Sequence, residues 1–164
     1  MTVKKITVER VTFVSKRSFE DVLGLLDMGI GRPNFREIQR QMAEASSHSA
    51  FEKIIHGAVG TAGLMEFMRL DLGMALRKDP AVAAYKIVRI IAGNPLIMKQ
   101  MVEHVPHAGS YAPVTILVYE SEDKVHICYD TMESLLNSYP NGPALEVARD
   151  LDSKVIKLLQ DAAG

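Results

Sequence analysis

The sequence contains one cysteine, Cys128, and no tryptophan among its 164 residues. A single cysteine excludes a disulfide within the chain and is typical of a protein kept in a reducing compartment. No apolar run approaches the ~20 residues that a membrane-spanning helix needs. The N-terminal segment Met1–Thr7 also lacks the apolar stretch of a signal peptide. We therefore expect a cytoplasmic protein that does not bind membranes.

An excess of basic charge is absent as well, because 19 lysines and arginines balance 20 acidic residues for a net charge of −1. Nucleic acids select clustered basic surfaces, so no nucleic-acid partner is expected. The glycines from Gly57 to Gly63 lack the lysine of a phosphate-binding loop and the spacing of a dinucleotide site. No Gly-x-Ser-x-Gly motif indicates a serine nucleophile.

The chain does contain a clear order of periodic segments. Alternation and apolar runs predict strands over 3–14, 64–72 and 85–92, and a hairpin formed by 114–120 and 124–130. Helical spacing and capping residues predict helices from Ser18 to about Gly29, then over 33–45, 50–57, 96–105 and 145–162. Strands that cluster in this way favour the α+β class.

We therefore predict a single domain over residues 1–164, built on one antiparallel sheet of about four to five strands. Helices are expected on one face of this sheet, and a helical insertion is expected around residues 33–63.

Several short motifs in the C-terminal half resemble one known family in their order and spacing. They are Gly93-Asn94-Pro95-Leu96-Ile97, Met101, His104, Tyr111-Ala112-Pro113, Val118-Tyr119-Glu120, Tyr129-Asp130, Ser134-Leu135-Leu136, and Val147-Ala148 with Leu151-Asp152-Ser153-Lys154. From Ile90 to Leu159 the chain resembles the bacterial and archaeal family called domain of unknown function 302. The resemblance implies a curved sheet like half of the TATA-binding-protein saddle, and a homodimer. The family has no agreed catalytic residues, so the resemblance implies none here.

The chain departs from this resemblance at Thr131-Met132-Glu133-Ser134, where related chains tend to have a proline–serine pair. The loop after Asp130 is therefore expected to differ from theirs. The helical stretch 33–63 lies outside the matched segment, and we interpret it as a feature of this branch.

Polar and aromatic residues collect near the helix start at Asn94 and near the hairpin. Asn94 is predicted to cap the helix, with Pro95 at its first position. The same helix start could instead receive an anionic ligand group. The leading hypothesis is a small-ligand-binding or sensory module, with a pocket between the sheet and this helix. The proposed ligand-binding residues are Asn94, His104, Tyr111, Tyr119 and Tyr129.

Two other functions are consistent with the sequence. The first is a cofactor-free or metal-assisted enzyme that uses His104 with Asp130 or Glu120 for acid–base chemistry. The second is a structural protein that binds a partner through the 33–63 helices.

No cofactor is assigned. His126, Cys128 and Asp130 are expected on one side of their strand, where they would offer zinc or iron ligands, although a helix-covered or solvent-facing strand has the same alternation. The nine methionines are typical core residues, but a methionine-rich pocket would also accommodate haem or a flavin. Tyr119 and Tyr129 are predicted to be cross-strand neighbours.

Overall fold

The computed structural model describes residues 1–164 and contains one six-stranded sheet. The strands are β1 (Arg10–Ser15), β2 (Ile30–Gly31), β3 (Leu64–Asp71), β4 (Ile87–Gly93), β5 (Val114–Ser121) and β6 (Lys124–Asp130). The helices are α1 (Phe19–Gly29), α2 (Phe35–Glu44), α3 (His48–Ala58), α4 (Gly73–Leu76), α5 (Pro95–Val102), α6 (Met132–Leu136) and α7 (Gly142–Ala163), with a 3-10 helix at Pro106–Ser110. None of the helices has the length and apolar character required to cross a membrane.

The strands lie in the order β1-β6-β5-β4-β3-β2, which confirms the α+β class. The sheet has six strands rather than the four to five expected. The added strand, β2, has only two residues and pairs parallel to β3, whereas all other pairs are antiparallel. A β-bulge between Glu66 and Met68 shifts the register of β3 against β4.

Side-chain caps define where the longer helices begin. The Ser18 hydroxyl accepts a hydrogen bond from the Asp21 N–H at 3.1 Å, as the sequence predicted. The same kind of cap is provided by Asn34, Ser47, Asn94 and Asn141 at the starts of α2, α3, α5 and α7. Such caps satisfy N–H groups that have no partner within the helix, so short polar residues fix these boundaries.

The main core lies on one face of the sheet. Val114, Ile116 and Val118 of β5 are buried and alternate with partly exposed residues. The residues of the neighbouring strands that belong to this core are Val88, Ile90, Ala92, Val125, Ile127 and Tyr129. Helices α1, α5 and α7 cover this face, and α7 contributes the apolar stripe predicted for 145–162. We call the opposite side of β1, β4, β5 and β6 the open face.

The α2–α3 pair packs against β3, the neighbour of the edge strand β2. Leu64 belongs to the main core, whereas its neighbour Met65 packs with the buried Ile55 of α3. Phe35 of α2 stacks on Phe67 with ring centroids 4.5 Å apart. The apolar stripe of α2 therefore packs toward the sheet, although its residues Phe35, Ile38 and Met42 stay only partly buried.

Asp152 connects α7 to the segment after β6. Its carboxylate accepts hydrogen bonds from the Tyr129 hydroxyl at 2.5 Å, the Met132 N–H at 2.7 Å and the Glu133 N–H at 2.9 Å. These bonds support the start of α6, which replaces the loop expected after Asp130. Burial raises the pKa of the Asp152 carboxyl above its ordinary value, because the three donors only partly offset the lost hydration.

Because the pKa of Asp152 is raised, the free energy of unfolding should depend on pH, and Asp152→Asn should remove the part of this dependence that Asp152 contributes. Because the folded-state pKa is raised, the stability contributed by Asp152 is fully present below its unfolded-state pKa and is lost as pH rises through the folded value. The free energy of unfolding of the wild type minus that of Asp152→Asn should therefore be largest at acidic pH and should fall toward neutral pH. Urea unfolding of both proteins across this range measures the difference. A difference that grew with pH would contradict the assignment.

Candidate functional site

A mainly apolar cavity of about 220 Å³ lies between α5 and the end of the central strands, and we call it the α5 cavity. It occupies the position predicted for the pocket, between the sheet and the helix that Asn94 opens. Its lining residues are Phe67, Gly93, Asn94, Pro95, Ile97, Met98, Met101, Gly109, Ala112, Pro113, Val114 and Leu151. No charged side chain is among them, so the cavity is suited to an apolar group.

Asn94 holds the start of α5 at the edge of this cavity. Its side-chain oxygen accepts from the Leu96 N–H at 2.9 Å, and its amide nitrogen donates to the Gly63 carbonyl at 2.9 Å. The second bond ties α5 to the turn before β3. Because both ends of the amide are engaged within the protein, Asn94 positions the cavity wall and has little capacity left for a ligand.

Gly93 keeps the cavity open at the end of β4. A Cβ atom at this position would lie 3.1 Å from the Cβ of Pro113 and 3.6 Å from the Cζ of Phe67. The first distance is tighter than ordinary packing, so a side chain here would require Pro113 to shift by a few tenths of an ångström.

Of the five predicted ligand-binding residues, Asn94 alone lines the α5 cavity. His104 follows the end of α5, is exposed, and has its Nε2 3.9 Å from a carboxylate oxygen of Glu103. Tyr111 lines a neighbouring cavity instead. Burial and the adjacent Tyr139 phenol raise the pKa of Tyr111.

Tyr119 and Tyr129 lie on opposite faces of the sheet, which corrects their predicted pairing. Tyr119 is opposite His126 in the register and stacks on its ring at 4.9 Å on the open face. Tyr129 is opposite Ile116 and is buried under the helices. Tyr129 pairs with Ile116, which is three residues from Tyr119 on β5 and therefore on the other face of the sheet. A single pocket wall cannot include both tyrosines.

The residues proposed for acid–base chemistry are also separated. Asp130 forms a bidentate ion pair with Arg10, with N–O distances of 2.6 and 2.8 Å. Glu120 lies near the turn at the other end of the hairpin, 3.5 Å from the Lys86 ammonium. His104 contacts neither carboxylate, so the structure does not assemble the catalytic pairs considered from the sequence.

His126, Cys128 and Asp130 do share the open face, as their alternation predicts. Each already has a partner within the sheet, however. His126 stacks on Tyr119, the Cys128 sulfur is 3.4 Å from the Thr12 hydroxyl, and Asp130 binds Arg10. No group of three or more histidine, cysteine, aspartate or glutamate side chains is arranged to hold a metal ion.

Sequence reasoning missed most of the α5 cavity. The i, i+3 and i, i+4 spacing of Ile97, Met98 and Met101 was a usable signal for one apolar wall. Phe67 and Leu151 come from distant parts of the chain, and no local pattern connects them to α5.

Comparisons with known proteins agree on one family. The family model described as "Domain of unknown function DUF302" matches residues 38–162. The match includes most of the 33–63 stretch, so our interpretation of that stretch as lying outside the family region is wrong. An uncharacterised conserved DUF302 protein from Bacillus stearothermophilus has a similar crystal structure. The two structures align with a TM-score of 0.65 and 12% sequence identity, and the alignment covers 93% of this chain and 97% of that one. No protein of curated function matches the chain.

The two hydrogen bonds of Asn94 predict a large stability loss for Asn94→Ala. Removing a cap and a side-chain bond to a carbonyl should lower the free energy of unfolding by about 1–3 kcal/mol. Asn34→Ala is the matched control, because Asn34 caps α2 through one exposed bond of 3.3 Å and should cost about 1 kcal/mol or less. Chemical denaturation measures both values. Equal losses in the two variants would show that the Gly63 bond contributes nothing.

Proposed function

Because the chain belongs to the domain of unknown function 302 family, which brings no assigned activity, we propose from its own geometry that it binds a small apolar molecule in the α5 cavity. The observation that carries this proposal is an open, mainly apolar cavity at the end of a covered sheet. We propose further that residues 1–164 form one domain acting in the cytoplasm, which the single cysteine supports.

The size of the cavity limits the ligand. An apolar cavity of about 150 Å³ is large enough for benzene, whereas drug-sized ligands need about 300–1,000 Å³. At about 220 Å³, the α5 cavity fits a single substituted ring, an indole or a short acyl chain. It is too small to enclose haem or a flavin.

Two methionines give the cavity an adaptable wall. Met98 is partly exposed at α5, and Met101 is fully buried one turn further along the helix. Unbranched thioether side chains adjust to different shapes and make favourable contacts with aromatic rings. Phe67 adds an aromatic surface on the sheet side. These contacts support a flat apolar ligand.

The same methionines provide a direct test. In protein with 13C-labelled methionine methyl groups, titration with toluene or indole should shift the Met98 and Met101 resonances. The exposed Met28 and Met74 should be unaffected. Met98→Trp should fill part of the cavity and weaken probe binding about tenfold or more, while Met74→Trp on α4 should leave binding unchanged.

Unmoved Met98 and Met101 resonances at saturating probe would overturn the proposal. If the probe binds, native mass spectrometry of protein purified from a cell extract is the experiment that identifies a retained natural ligand.

A second candidate function is self-association as a homodimer through the open face. Val14 is 52% exposed there, and Leu117, Ile87 and Ile91 are only partly covered. Met68 of the adjacent strand β3 pairs with Ile91 and is 53% exposed. A second copy related by a two-fold axis would cover the same surface on both chains, as an isologous interface requires. These exposed apolar side chains support the dimer proposed from the family resemblance.

Leu117→Lys should convert this dimer to a monomer, because it places a charge in the middle of the proposed interface. Native mass spectrometry would count the subunits, with Met74→Lys as a control outside the sheet. A wild type that is monomeric, or a Leu117→Lys variant that remains dimeric, would contradict an interface on the open face.

A further inference from the structure

A second cavity, of about 360 Å³, adjoins the α5 cavity and differs from it in chemistry. The two cavities share the lining residues Gly109, Ala112, Pro113 and Val114. The lining of the second cavity includes Arg89, Tyr111 and Thr115, whose side chains can donate hydrogen bonds. Apolar residues, including Ile91, Met132 and Leu135, form the remainder. We call it the Arg89 cavity.

Arg89 has no carboxylate partner within the chain. Its guanidinium Nη2 donates to the Thr115 hydroxyl at 3.1 Å, which is its one side-chain hydrogen bond. Its neighbours on the adjacent strands are Leu70 and Leu117, so the strand pairing supplies no opposite charge. Arg10, on the same face, forms a bidentate pair with Asp130 instead.

We propose that Arg89 binds the carboxylate of a small organic acid in this cavity. A planar guanidinium presents paired N–H donors that match the two oxygens of a carboxylate. The Thr115 hydroxyl lies next to the guanidinium, and the Tyr111 phenol is a further donor in the lining. The apolar body of the acid would contact Ile91 and Leu135, with the buried Met132 directly behind them in the lining.

The charges around the cavity favour a single negative charge over a phosphate dianion. Asp130 also lines the cavity, but both of its oxygens are bound by Arg10, which offsets its charge. Arg89 is thus one free cation facing a compensated ion pair. A dianion would meet the Asp130 carboxylate with only one arginine to neutralise it.

The proposal is independent of ligand binding in the α5 cavity, because the two linings differ in charge. Arg89 lines one cavity, and no charged side chain lines the other. Methionines report on each separately, since Met132 lines the Arg89 cavity and Met98 and Met101 line the α5 cavity.

The test uses benzoate as the probe and benzamide as its neutral analogue of nearly the same shape, in buffer free of other carboxylates. In the full-length protein with labelled methionine methyl groups, benzoate should shift the Met132 resonance, and benzamide should do so only at about tenfold higher concentration. Arg89→Gln should weaken benzoate binding about tenfold or more. Arg89→Lys, which keeps the charge but not the paired donors, should give an intermediate loss.

Arg89 is exposed, so these variants should fold, and thermal unfolding with a native-mass subunit count checks that they match the wild type. If a variant changed the subunit count, the benzoate–benzamide comparison on the wild type would decide. The proposal is overturned if Met132 does not respond to benzoate, if benzamide binds equally well, or if Arg89→Gln binds as the wild type does. Shifts confined to Met98 and Met101 would also overturn it, because they would assign the acid to the α5 cavity.

Discussion

The alternation of side chains along the hairpin β5–β6 is the constraint on which the rest of the structure depends. Every second residue of these central strands must enter the core that α1, α5 and α7 cover, and the residues between them must lie on the open face. Because Val118 and Ile127 are buried in the core, their neighbours Tyr119 and His126 must lie on the open face. The hairpin thereby divides the chemistry of the chain between two faces.

This division separates two kinds of side chain. The covered face receives aliphatic residues and the buried hydrogen bond between Tyr129 and Asp152. The open face receives the titratable groups His126, Cys128 and Asp130, together with Arg89 on β4. His126, Cys128 and Asp130 contact Tyr119, Thr12 and Arg10 respectively, whereas Arg89 has no carboxylate partner on this face. The α5 cavity lies at the end of the covered face and contains none of them.

Much of the fold could be predicted because its signals are local. Ser18 and Asn94 identify helix starts through hydrogen bonds to residues two or three positions away. The α7 stripe and the β5–β6 hairpin follow from periodicity alone. Helix α6 was not predicted, because its start depends on Asp152, about 20 residues further along the chain. The two-residue strand β2 is too short to leave a pattern.

The candidate site was harder to predict than the fold for the same reason. Asn94 was recognised because its capping role follows from the residues next to it in the sequence. The cavity beside it needs Phe67 and Leu151, which only the tertiary structure brings to α5. Tyr119 and Tyr129 were grouped by composition, and a count of tyrosines contains no information about which face each one occupies. The register between strands supplies that information.

The bulge in β3 has a consequence for the behaviour of the protein at high concentration. An open sheet exposes backbone N–H and C=O groups along its outer strands, where another chain can add a strand and start an aggregate. Strand β2 covers only Leu64 and Met65 of β3. Just beyond them, the bulge between Glu66 and Met68 interrupts the regular pairing of β3 with β4. Arg69 of β3 forms ion pairs with Asp27 and Glu66. A regular incoming strand cannot follow a bulged and charged edge, so this side of the sheet resists edge-to-edge polymerisation.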